Sequence, residues 1–177
     1  MGRPGEARLC ALTPVAWRMT LALIRPMAVN RAGLQVRPMS RSAPEITIAN
    51  PDTMGKPLGQ YSQITRVKAS EFLFIAGQVA TDRHGKPTGA DDFDEQCRAV
   101  FANIDAALRS QGASFANVVE FTTYLVHSQD IPKFMEFRLR EFPKMFPNGK
   151  YPPNTLLMVD RLVQEPFLVE VQTIAAI

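Results

Sequence analysis

Residues 151–162 read YPPNTLLMVDRL, in which Asn154 is a lone amide set between two prolines and an apolar run resembling a buried strand. Proline fixes φ and biases its predecessor toward extended backbone, so the chain is stiffened where this side chain leaves it. An amide donates and accepts neutral hydrogen bonds, which suits a carbonyl, hydroxyl or amide better than a free carboxylate. The other reactive side chains are scattered. His84 lies in the polar turn DRHGK and His127 closes a strand-like segment; both read as structural or solvated, and alone they make no metal site. Ser62 has no triad order around it to activate a nucleophile. Cys10 and Cys97 have neither disulfide nor metal spacing; Cys97 falls within a helical pattern, where a buried thiol is expected, and a reducing compartment fits.

The elements that must hold these groups begin at Glu45. EITIAN alternates like a short strand, PDTMGKPLG is a loop, and YSQITRV and EFLFIAGQVA read as two strands opening a hairpin or meander. TDRHGKP is a turn in which Gly85 can take positive φ. The period then changes to 3.6: Phe93, Cys97, Val100, Phe101, Ile104 and Leu108 line one face of a helix from about Asp92 to Gln111. Asp92 can cap it, Glu95 stands three residues on as in a capping box, and Gly112 stops it. VVEFTTYLVH is a strand, DIPKFMEFRLREFPKMF a second helix with Pro132 in its first turn, and TLLMVDRL and FLVEVQTIAAI the last strands. The order β-β-β-α-β-α-β-β predicts an α+β domain, one mixed sheet with two long helices on one face. Phe121, Thr123, Leu125, Leu157 and Val159 put apolar positions on both sheet faces, which predicts a closed homo-oligomer covering the open one.

Charge divides the chain. Among the 177 residues, positions 1–44 hold seven arginines and one acid, Glu6, leaving 13 basic and 16 acidic side chains to positions 45–177. A net-negative core with no basic run argues against nucleic acid as partner. Residues 1–44 read as a disordered or non-native extension, either an Arg-rich mitochondrial targeting peptide or a stretch preceding a later start at Met19, Met27 or Met39, with Met39 favoured. The domain is then 45–177, cytoplasmic unless the extension targets it to mitochondria. No run of about 18 apolar residues is present to span a membrane as a helix.

GQYSQ (59–63), FIAGQVATDRHGK (74–86), PPNTLLMVDRL (152–162) and FLVEVQTIA (167–175) together resemble the Rid or YjgF proteins, also named endoribonuclease L-PSP. The resemblance implies a chorismate-mutase-like fold assembled as a homotrimer, with small-molecule clefts between subunits and no metal or organic cofactor. It implies hydrolysis of reactive enamines or imines to carbonyl compounds and ammonia. Position by position, Tyr61 matches the cleft tyrosine, Gly77 and Gln78 the pocket backbone, Leu156 the position whose N–H faces the ligand, and Glu170 the acid near the attacking water. Asn154 stands where deaminating members carry the arginine that grips the substrate carboxylate, a bidentate contact that an amide cannot replace. Arg161 matches a different arginine of the pattern.

Without that arginine, one influence holding the Glu170 pKa low is gone while burial raises it, so Glu170 is expected to act as general base or acid. The expectation is therefore an enamine/imine deaminase of altered specificity. The alternatives are a non-catalytic ligand-binding or chaperone-like trimer and an endoribonuclease.

Overall fold

A computed structural model describes residues 42–177; the readings placed on Cys10, on the alternative starts and on targeting lie outside the described residues. The elements are β1 (Glu45–Ala49), β2 (Ile64–Lys68), β3 (Phe72–Gln78), α1 (Phe93–Ser110), β4 (Val118–Leu125), α2 (Ile131–Met145), β5 (Asn154–Met158) and β6 (Val169–Ala176), in the expected order. Two single-turn 3₁₀ segments, Phe115–Asn117 and Ser128–Asp130, precede β4 and α2.

Sheet topology explains why both helices share a face. The four-stranded sheet runs β3-β6-β4-β5, with β6 antiparallel to β3 and β4, and β4 parallel to β5. β3 and β4 are therefore parallel to each other, so α1 and α2 are both crossovers between parallel strands. Two crossovers of the same hand that step the same way across a sheet must lie on the same side. Phe121 of β4 meets both helices, its ring 5.8 Å from Phe101 of α1 and 6.1 Å from Phe142 of α2. Phe101 also stacks on Phe137 of α2 at 5.4 Å, so the core is an aromatic cluster linking three elements. Such pairs add about 0.5–1.5 kcal/mol each beyond their buried area.

The predicted single sheet is in fact a four-stranded sheet plus a separate ribbon. β1 and β2 pair antiparallel across the loop 50–63, but β2 does not turn back onto β3, which pairs with β6 instead. The connection Ala69–Ser70–Glu71 lacks the glycine or asparagine that a tight reversal uses. The terminal strand, already committed by the apolar face of β6, offers β3 a better partner.

α1 is held as its sequence indicates. Asp92 accepts from the Glu95 backbone N–H at 3.0 Å, and Gly112 takes φ +71° just past the end. Asp92→Ala is expected to cost about 1 kcal/mol of stability, read from urea unfolding, since it leaves a first-turn N–H without its acceptor. Cys97 is fully buried on this helix, and burial pushes its thiol pKa well above the ordinary range. It is a packing group and not a nucleophile.

Candidate functional site

β6 alternates from Val169 to Ala175. Val169, Val171 and Thr173 are buried against the helices, while Glu170 and Gln172 project from the opposite, open face. Cross-strand register sets Glu170 directly beside Tyr124 of β4. On its other flank β3 is irregular: Ile75 pairs with Thr173 and Gln78 with Val171, so Ala76 and Gly77 together oppose the single residue Gln172. This is a β-bulge, a device that commonly re-aims groups beside functional sites.

The bulge brings the Gly77 backbone against the Glu170 carboxylate. A Cβ built on Gly77 would lie 1.7 Å from Glu170 Oε1 and 2.6 Å from its Cδ, so only glycine leaves room for the carboxylate there. Gly77, Tyr124, Glu170 and Gln172, with Arg161 at one side, surround an open depression of about 280 Å³. Desolvation raises the Glu170 carboxyl above the usual carboxylate range. A carboxylate whose proton affinity is raised toward neutrality, at the wall of a depression, suits proton transfer to and from a small molecule.

Two polar side chains of α1 hold the walls. Gln96 is fully buried; its Nε2 donates to the carbonyls of Gly89 at 3.2 Å and Pro166 at 2.7 Å, and its Oε1 accepts from Leu168 N–H at 2.9 Å. It thereby fixes the segment that leads into β6 two residues before Glu170. Asn103 Nδ2 donates to the carbonyls of Val79 and Thr81, each at 3.1 Å, pinning the chain as it leaves the bulge. Neither was legible as functional, since each looks like an ordinary polar residue in a helix.

The remaining expected residues lie elsewhere. Gln78 faces the helix side with Val171, its Nε2 donating to the Ala76 carbonyl at 2.9 Å across the bulge. Asn154 opens β5 opposite Phe121, and Leu156, opposite Thr123, packs against the core. The Asn154 side-chain Oδ1 accepts from the Thr123 hydroxyl at 2.8 Å, which orients the amide and leaves its NH₂ and a second oxygen lone pair to offer a ligand. Tyr61 belongs to the loop 50–63, with the Arg138 guanidinium of α2 5.8 Å from its ring centre, and lines a separate cavity of about 580 Å³. Within one chain, then, Gly77 and Glu170 come together on the open face, while Asn154, Leu156 and Tyr61 stand on the helix side. Tyr124 was missed because it reaches Glu170 only through strand register, which one strand's sequence does not encode. His84 is an exposed turn residue whose Nε2 accepts from Arg83 Nε at 3.0 Å.

Comparison with known proteins gives the same family from sequence and fold. A family model described as Endoribonuclease L-PSP matches residues 52–177. A RutC family protein of Pyrococcus horikoshii is 36% identical over 120 residues, covering 68% of this chain and 89% of its own length. The crystal structure of a conserved Rid family protein from Yersinia pestis aligns with TM-score 0.67 at 28% identity, covering 75% of this chain and 98% of that one. More distantly, a 2-iminobutanoate/2-iminopropanoate deaminase of Dermatophagoides farinae is 22% identical over 92 residues, covering 52% of this chain and 70% of its own.

Proposed function

Because this chain belongs to the endoribonuclease L-PSP family, the Rid or YjgF proteins, we propose that it hydrolyses enamines or imines to carbonyl compounds and ammonia. The observation that carries the reading is the Glu170 carboxylate, raised in pKa and seated on the bare backbone of Gly77 at the edge of a small depression. In this role Glu170 takes a proton from water as its oxygen adds to the C=N carbon. It returns that proton to the nitrogen, giving a carbinolamine, and then carries the carbinolamine hydroxyl proton to the same nitrogen, so that the C–N bond breaks and ammonia leaves as the C=O bond forms. The deaminase name of the mite relative adds support from a distance.

The proposal includes a homotrimer with its ligand in the clefts between subunits. Glu170 opens on one side of the sheet and Tyr61 sits with α2 on the other, so one chain alone does not unite them, and a neighbouring copy is the means to do so. Phe74, 76% exposed, and Leu157, 44% exposed, lie on the same open face as Glu170 and favour its being covered.

Specificity follows from residue 154. With its Oδ1 accepting from Thr123, Asn154 provides neutral hydrogen-bonding groups and no charge, so carboxylate-bearing imines lose a charge-assisted contact. Asn154→Arg is expected to raise turnover of such imines about tenfold, the equivalent of one charged hydrogen bond. Ammonia release from a panel of enzymatically generated imines, with and without a carboxylate, tests both statements. No release from any of them, in a protein that still binds small ligands, would replace the deaminase reading with a binding module, the reading that the neutral Asn154 favours.

A further inference from the structure

Strand pairing sets Tyr124 of β4 directly opposite Glu170 of β6. Facing residues of antiparallel neighbours hold their Cβ atoms about 4.5–5.5 Å apart on one face, so the two side chains rise from the sheet together. Phe121, Thr123 and Leu125 are the buried positions of β4 around it, and Tyr124 stands half-buried on the open side. No described residue accepts from its hydroxyl.

The Glu170 carboxylate leans away from this ring. Its Oε1 lies 1.7 Å from where a Cβ on Gly77 would be, on the β3 side of β6, while β4 flanks the other side. Gly77, Glu170 and Tyr124 all line the depression of about 280 Å³, which therefore crosses β6 with the carboxylate toward one wall and the phenol at the other. A small molecule seated there has a base on one side and a hydroxyl donor on the other. The remaining polar groups of the depression serve less well as donors. Arg161 is 62% exposed and its Nη1 donates to Glu165 at 2.9 Å, and no described cation offsets the desolvation that raises Glu170. Gln172 is exposed, where water competes for its amide.

Addition of water to a C=N bond pushes an electron pair onto nitrogen. While the new C–O bond forms, the proton that will neutralise this charge is still on the Glu170 side, with the water. A hydroxyl aimed at the nitrogen stabilises the charge as it develops. Its effect is largest for a neutral imine, because an iminium arrives with its nitrogen already protonated.

We propose that Tyr124 is a second catalytic residue, whose hydroxyl donates a hydrogen bond to the substrate nitrogen across the depression from Glu170, keeps its own proton, and so lets the site act on neutral imines. The substrate is then anchored at its reacting group, which suits a site with no charge at position 154. The inference rests on the deaminase reading.

The test follows propan-1-imine, released from propylamine by a flavin amine oxidase and read as propanal, across pH. Tyr124→Phe removes one oxygen and keeps the ring. At alkaline pH it should lower kcat/KM about 10- to 100-fold, between the loss of a neutral hydrogen bond and that of a preorganised donor to developing charge. The deficit should shrink at acid pH, where the substrate is increasingly iminium. Glu170 and Arg161 are the charged groups lining the depression, and both proteins carry them, so their titration cancels in the ratio of rates. No deficit, or a deficit of one size at every pH as a purely structural role would give, would overturn the proposal. Should Tyr124→Phe not fold, wild type decides. The chain has three tyrosines, Tyr61, Tyr124 and Tyr151, so isotope at tyrosine Cζ gives three NMR signals, assigned through Tyr61→Phe and Tyr151→Phe. Titration with acetone O-methyloxime, a stable C=N compound, should move the Tyr124 signal; movement of another tyrosine alone, or of none, overturns the proposal equally. Absence of turnover in wild type counts against the deaminase reading, and the oxime titration, which involves no turnover, still decides whether Tyr124 donates to a C=N nitrogen.

Discussion

Glu170→Gln is expected to lower the rate of imine hydrolysis by about 10²–10³-fold, within the range that a positioned acid–base group contributes. Glutamine keeps the shape and the contact with Gly77 but can neither take a proton from water nor return it to nitrogen, so binding should change less than turnover. The pH profile gives a second signature. Base catalysis needs the carboxylate, and desolvation raises its pKa, so kcat/KM should climb through a pH region above the ordinary glutamate value of about 4.3. That rising limb should vanish in Glu170→Gln.

Stability should move in the opposite sense. A carboxyl whose folded-state pKa is raised favours the folded protein most below its unfolded pKa and loses that contribution as pH rises through the folded one. At neutral pH the ionised Glu170 therefore opposes folding, and Glu170→Gln should be at least as stable as wild type there, with its advantage fading near pH 4. Urea unfolding at the two pH values reads the difference. A variant that is inactive but not weakened marks a residue kept for chemistry.

Gly77→Ala is the second large effect. The added methyl would fall 1.7 Å from Glu170 Oε1 and 2.9 Å from its Cγ, so the side chain must swing from near its root and not merely at its tip. Displacing a catalytic group by an ångström can cost about 10²-fold in rate, and a loss of that size is expected here. Thermal stability should fall modestly, because the clashing partner is a side chain that can leave toward solvent. The double variant Gly77→Ala/Glu170→Gln should be scarcely slower than Glu170→Gln alone, as residues acting as one unit are not additive. Full activity in Gly77→Ala would remove this contact from any account of the site.

What could be read from the sequence divides along the range of the forces involved. α1 was legible because its determinants are local: a 3.6-residue apolar period, the Asp92 cap and the glycine that ends it. Glu170 and Gly77 were legible as motif positions, but their mutual contact depends on a bulge between strands almost a hundred residues apart in sequence. The neighbour Tyr124 and the Thr123–Asn154 hydrogen bond likewise arise from register between distant strands. Gln96 and Arg138 were not legible for another reason: both are polar residues on helices, which patterning assigns to solvent, and both are buried by partners from other segments. The separation of the β1–β2 ribbon from the sheet was decided by a competition, β2 against β6 for the edge of β3, that local alternation cannot weigh.

The bulge in β3 also bears on strand pairing at the edge of the sheet. Among the described residues β3 is an outer strand, with β6 on one side only, and its Phe72 and Phe74 are exposed. A regular strand of that composition would be a template for adding foreign strands and, through repetition, for aggregation. The extra residue at Ala76–Gly77 kinks the edge and puts its hydrogen-bonding groups out of step with any straight incoming chain. One irregularity thus serves two ends: it clears the space occupied by Glu170, and it spoils the edge for amyloid-like growth.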